Sequence, residues 1–100
     1  MSGNQSTDSF FVNGALSGTG KHFVTDFQDS NGKNVPQFVK NIQIEDIDNT
    51  MRVFRNGATD GRDYIAGLAF RLDPEKVLHD LSKLEISGTD ADVIDIEYEE

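Results

Sequence analysis

One hundred residues are enough for one domain with a real core, and too few for most nucleotide-binding enzyme folds. A net charge of -9 disfavours phosphate backbones and anionic membranes as partners, and the absence of cysteine excludes disulfides and thiolate zinc sites. Hydrophobic residues make up only 36%, yet they fall in runs rather than singly, which argues for a folded chain.

Residues 1–8 are polar, carry no positive cluster and lead into no apolar run of signal-peptide length, so a disordered leader is expected there. No stretch approaches the length of a membrane span, and a soluble cytoplasmic protein is the expectation. Ser9-Phe10-Phe11-Val12 predicts a short first strand ended by Asn13-Gly14, followed by a Gly/Ser/Thr loop to Gly20. His22 to Gln28 alternates, with Phe23, Thr25 and Phe27 on one side. Asp29-Ser30-Asn31-Gly32-Lys33 is a turn, because Asn-Gly accepts the positive φ angles of tight hairpins. Val35 to Ile44 predicts a further strand with Phe38, Ile42 and Ile44 facing the core; Pro36 confines it to a start or a sheet edge.

Glu45 to Thr50 is an acidic turn, Met51 to Arg55 a short strand, and Asn56 to Gly61 a second glycine-bearing hairpin loop. From Asp63 the alternation of Tyr64, Ala66, Leu68, Phe70 and Leu72 predicts one long strand. Asp73 then offers an N-cap and Pro74 suits a first helical turn, while Val77, Leu78, Leu81 and Leu84 form one helical stripe. Ile86 to Thr89 breaks that helix, and Ala91 to Tyr98 alternates as a last strand. Short polar turns join neighbours antiparallel. The predicted fold class is therefore α+β: an antiparallel sheet of five or six short strands, able to curl toward a small barrel, with one helix packed on it. Residues 9–100 form a single domain.

Enzyme signatures fail on inspection. Ala15 to His22 departs from a phosphate-binding P-loop, since Ala15 replaces the first glycine and His22 the magnesium-binding hydroxyl. Asp29, Asn31 and Gly32 sit as in a calcium loop, but its first and twelfth positions would be Phe27 and Phe38. His22 and His79 are far apart, with His79 on the solvent side of the predicted helix. No Gly-x-Ser-x-Gly elbow occurs. No catalytic residue, metal ligand or cofactor is assigned.

The charge itself is lopsided. Residues 1–44 are neutral overall, residues 45–100 hold fifteen acids against six bases, and Asp90 to Glu100 holds six acids and no base. If the terminal strand pairs near the acidic turn, Glu45, Asp46, Asp48, Asp90, Asp92, Asp95, Glu97, Glu99 and Glu100 form one negative surface, with Ile94, Ile96 and Tyr98 as apolar anchors. The function expected is a non-enzymatic acidic binding protein that occupies a basic surface of a partner, as an inhibitor or regulator. A nucleic-acid-binding protein is one such partner, its phosphate row mimicked by spaced carboxylates. Two alternatives are a structural subunit of an assembly such as a virion, and a single-stranded nucleic-acid binder using Arg52, Arg55, Arg62, Arg71 and the seven phenylalanines. Direct nucleic-acid binding is disfavoured by the acidity and by strand registers that bury most of those rings.

Overall fold

Period-two alternation of apolar and polar residues dominates this chain, and the computed structural model, which describes residues 9–100, is built almost wholly of strands. The expected leader, residues 1–8, lies outside the described residues. The strands are β1 (Ser9–Ala15), β2 (His22–Phe23), β3 (Phe38–Val39), β4 (Asn41–Asp46), β5 (Met51–Phe54), β6 (Arg62–Tyr64), β7 (Phe70–Leu72), β8 (His79–Asp80), β9 (Glu85–Ser87) and β10 (Val93–Glu99). Among the described residues a 3-10 turn, Val24–Asp26, follows β2. No helix among the described residues is long and apolar enough to cross a membrane.

Two four-stranded antiparallel sheets carry the fold, in the orders β1-β10-β4-β7 and β2-β9-β5-β6; β3 and β8 form a small third ladder. Ile42, Ile44, Phe70, Ile94, Ile96 and Tyr98 of the first sheet share one core with Met51, Val53 and Ile86 of the second. The segments 16–21, 47–50, 65–69 and 88–92 each cross from one sheet to the other. Backbone bonds tie these crossings together: Leu16 N–H donates to Asp92 C=O at 2.8 Å, Ala91 N–H to Leu16 C=O at 2.9 Å and Gly67 N–H to Asp46 C=O at 2.9 Å. Four crossovers therefore converge at one end of the molecule.

The α+β expectation is overturned, because the helix over residues 74–84 is not formed. A helix of that length is marginal without packing, and local polar groups choose other partners. Asp80 Oδ1 accepts the Ser82 N–H at 2.9 Å, Leu81 N–H donates to Gln37 C=O at 2.7 Å, and His79 pairs with Val39 in the β3–β8 ladder. A turn closed by Leu84 N–H and Leu81 C=O, 3.0 Å apart, buries both leucines without helix. Val77 is 76% exposed and Leu78 is exposed too, so only the Leu81 and Leu84 half of the expected stripe packs.

The long strand over 63–72 is likewise divided. Leu68 N–H donates to Ile65 C=O at 2.8 Å and Gly67 takes φ +81°, the conformation a type II turn requires at its third residue. That turn carries the chain from β6 in one sheet to β7 in the other. Phe38, expected in the core, is exposed. The Asn56-Gly57 turn has positive φ at both residues and closes through Ala58 N–H to Arg55 C=O at 3.0 Å, as a type I′ hairpin demands.

These placements separate core from surface in a measurable way. Ile96→Ala, in the central strand of the first sheet, is expected to destabilise by about 2–5 kcal/mol. Val77→Ala is expected to change stability by no more than about 0.5 kcal/mol. Urea unfolding of both variants checks this; a helix packed through Val77 would make the second change as damaging as the first.

Candidate functional site

A strand places alternate side chains on opposite faces. In β10, Ile94, Ile96 and Tyr98 are buried, while Val93, Asp95, Glu97 and Glu99 take the other face. Pairing with β4 sets Asp95 opposite Glu45, Glu97 opposite Gln43 and Glu99 opposite Asn41, and β7 places Arg71 opposite Gln43. The outer face of the first sheet is thus an acidic ladder, its carboxylates recurring along β10 about every 7 Å. Glu45 and Asp95 stand directly across from each other, concentrating negative potential there.

The ladder runs into the end where the four crossovers meet, and Asp48, Asp90 and Asp92 lie on those crossovers. Gly18 N–H donates to Asp90 Oδ1 at 2.7 Å, and Asn49 Nδ2 donates to both Asp92 carboxylate oxygens at 3.0 and 2.9 Å. These bonds fix the acidic side chains to neighbouring loops. Ion pairs between described residues join Lys33 to Glu100 at 2.8 Å and Arg52 to Asp63 at 2.7 Å; neither reaches this end.

Asp46 belongs to the same cluster but is not part of its surface. It shares the inward parity of Ile42 and Ile44 and is only 1% exposed. Its Oδ1 accepts the backbone N–H groups of Asp48 at 3.0 Å and Asn49 at 3.1 Å. Its Oδ2 accepts no hydrogen bond, and the Asp92 carboxyl acts on the Asp46 side chain. Burial, and then that carboxyl contact, hold Asp46 above the ordinary carboxylate range despite the two N–H donors.

Of the ten expected contact residues, Glu45, Asp48, Asp90, Asp92, Asp95 and Glu97 are brought to one surface. Glu99 and Glu100 lie at the far end of the ladder, where Asn41 donates to Glu99 and Lys33 pairs with Glu100. Asp46 and Tyr98 do not face solvent, and burial raises the Tyr98 phenol. Ile94 and Ile96, expected as anchors among the acids, are core residues by the same parity. Sequence reasoning missed Val93 and Ile47, exposed apolar residues on the acidic side. Val93 shares parity with Asp95 and Glu97, and that was the available signal.

Other constellations dissolve. Asp29 Oδ1 accepts the Asn31 and Lys33 N–H groups at 2.8 and 2.9 Å, a turn closing on itself. His79, expected in solvent, is half-buried with Nε2 2.6 Å from Asp73 C=O, and His22 Nε2 is 2.8 Å from Ser17 C=O. Arg55 and Arg62 lie over Phe70 and Tyr64, whose rings meet edge to face at 5.7 Å, while Arg52 pairs with Asp63 and Arg71 lies in the acidic ladder. Among the described phenylalanines Phe27, Phe54 and Phe70 are buried, and Phe23 and Phe38 are exposed. A cleft of about 270 Å³ lies beside the Asp73–Leu78 segment, lined by Arg55, Leu72, Glu75, Val77 and Leu78 among others. His79 and Asp80 also line it.

Fold and site together define a two-sheet, all-β protein with one acidic sheet face running into an acidic loop end. No protein-family model, curated protein or solved structure matches the chain.

Because the folded value of Asp46 is raised, its favourable contribution to folding is complete below the unfolded carboxylate range, about pH 4. That contribution is lost as pH rises through the folded value. Asp46→Asn keeps an oxygen for the Asp48 and Asn49 amides and adds a donor toward Asp92. It is expected to raise Tm at pH 7 and to lose that advantage in acid, measured by thermal unfolding across pH. A variant less stable than wild type at pH 7 contradicts the assignment.

Proposed function

We propose that this chain is a non-enzymatic binding protein whose acidic face docks onto a basic surface of a macromolecular partner, as an inhibitor or regulator. The observation that carries the reading is the β4–β10 register, which sets Asp95 against Glu45 beside Asp48 and Asp92. A rigid sheet presents these carboxylates in fixed positions, so little side-chain ordering is needed when cationic groups arrive. Negative potential on one face also steers a basic partner toward that face and accelerates encounter. Where the partner is a nucleic-acid-binding protein, the ladder stands in for a row of phosphates.

A second reading is favoured by a separate observation. β1 is the edge of the first sheet, and its seven residues, SFFVNGA, include neither charge nor proline to discourage strand addition. A structural subunit of an assembly such as a virion would use that edge. Light scattering at high concentration decides between them, since a strict monomer removes the second reading.

Affinity for poly-L-arginine is expected to fall steeply as salt rises from about 0.1 M to about 1 M, where the screening length drops from about 10 Å to about 3 Å. Glu45→Lys/Glu97→Lys is expected to slow association about tenfold or more. Asp60→Lys/Glu85→Lys, on the β5–β6 loop and on β9 of the second sheet and equal in charge change, serves as the control. Equal losses in both variants would show that net charge alone, not this face, attracts the polycation.

A further inference from the structure

The acidic ladder ends in an apolar rim. Val93 and Ile47 stand just past the last β4–β10 pair, Ile94 with Asp46. Val93 is 46% and Ile47 58% exposed, and Val93 shares the parity of the acids rather than of the core. The Gly67 N–H bond to Asp46 C=O brings the 65–68 turn alongside, and this turn exposes Ile65 by 66% and Leu68 by 50%. Four large, exposed aliphatic side chains thus lie on the segments gathered at the end of a face whose last row is Asp95 and Glu45. No turn geometry requires aliphatic residues at these positions. Isolated exposed aliphatics are ordinary, but a contiguous group bordered by polar residues marks an interaction site.

We propose that this rim is the apolar half of the docking surface and that its occupant is an amphipathic basic segment of the partner. Its apolar side chains cover Ile47, Val93 and the 65–68 turn, while its lysines or arginines reach Glu45, Asp95 and Asp48. The inference rests on the acidic-docking reading and adds what the partner must carry besides charge. Charge complementarity selects this occupant over a second copy. Two chains of charge -9 meeting through this rim would bring their Glu45–Asp95 rows and Asp48 side chains into mutual repulsion. A purely cationic partner would leave the four aliphatic side chains in water and gain nothing from them.

Two peptides of equal length and charge test the proposal on the full chain: one of alternating Leu and Lys blocks, the other with every Leu replaced by Ser. The Leu/Lys peptide is expected to bind about tenfold tighter or more by calorimetry at moderate salt. Amide shifts should concentrate at Ile47, Gly67, Leu68 and Val93. Ile65→Ser/Leu68→Ser is expected to bring the two affinities within about twofold while leaving the Ser/Lys affinity unchanged. Ile47→Ser gives an independent second variant should the first fail to fold. Equal affinities for both peptides, or a preference that survives both variants, overturns the apolar rim and leaves the acidic reading standing. Binding of neither peptide at low salt overturns the acidic reading as well. A dimer of the free chain that dissociates on Ile65→Ser/Leu68→Ser overturns the proposed occupant in favour of a second copy.

Discussion

The central position of β10 constrains everything else. It hydrogen-bonds along its whole length to β1 on one side and along most of it to β4 on the other, so its parity is locked by both neighbours. Slipping it by one residue would turn Asp95, Glu97 and Glu99 into the core and expel Ile94, Ile96 and Tyr98. Burying even one unpaired carboxylate costs several kcal/mol, so this register has no near competitor. The same alternation that buries the isoleucines therefore displays the acids, and core and charged surface are two sides of one strand.

Asp46 shows where that economy meets a limit. Its parity sends a carboxylate inward at the end of β4, and the structure satisfies one oxygen with two backbone amides of the following loop. The other oxygen accepts no hydrogen bond and lies near Gly88 and Leu16, in a residue only 1% exposed. The arrangement couples the 47–50 crossover to the 88–92 crossover, and Asn49 bridges the same two loops through Asp92. Loop ends are usually the softest part of a sandwich. Here side-chain and backbone bonds tie the 16–21, 47–50 and 88–92 crossovers to one another, and the 65–69 crossover to the end of β4.

How much of this was legible in the sequence depends on the range of the interaction that decided it. Period-two patterns in Asn41–Asp46 and Val93–Glu99 name both the strands and the faces of their residues, and the Asn56-Gly57 turn follows from its own φ preferences. The helix expected over 74–84 had a cap, a proline and a stripe in its favour. It lost to contacts from Gln37 and Val39, more than thirty residues away in the chain, which no local pattern contains. Gly67 fell within the single strand expected over 63–72, and its turn between sheets depends on Asp46 receiving its N–H. At the site, Tyr98 and the acids were grouped by closeness in sequence, although neighbours in a strand point to opposite faces. Applying parity strictly would have replaced Ile94, Ile96 and Tyr98 by Val93 as the apolar member of that surface.

An acidic face and an apolar rim answer different physical demands, which is why their adjacency matters more than either alone. Carboxylates at a solvated surface contribute little to affinity, because water and salt compete for each pair. Their effect is on encounter rate and on which partners are rejected. Aliphatic area contributes affinity without regard to the identity of the apolar partner, and by itself would invite indiscriminate association. A net charge of −9 opposes contact between copies, which under the proposed docking lets the rim stay exposed. In that proposal charge is the filter and the rim the adhesive. The β4–β10 register sets the two side by side, so a single partner element can meet both.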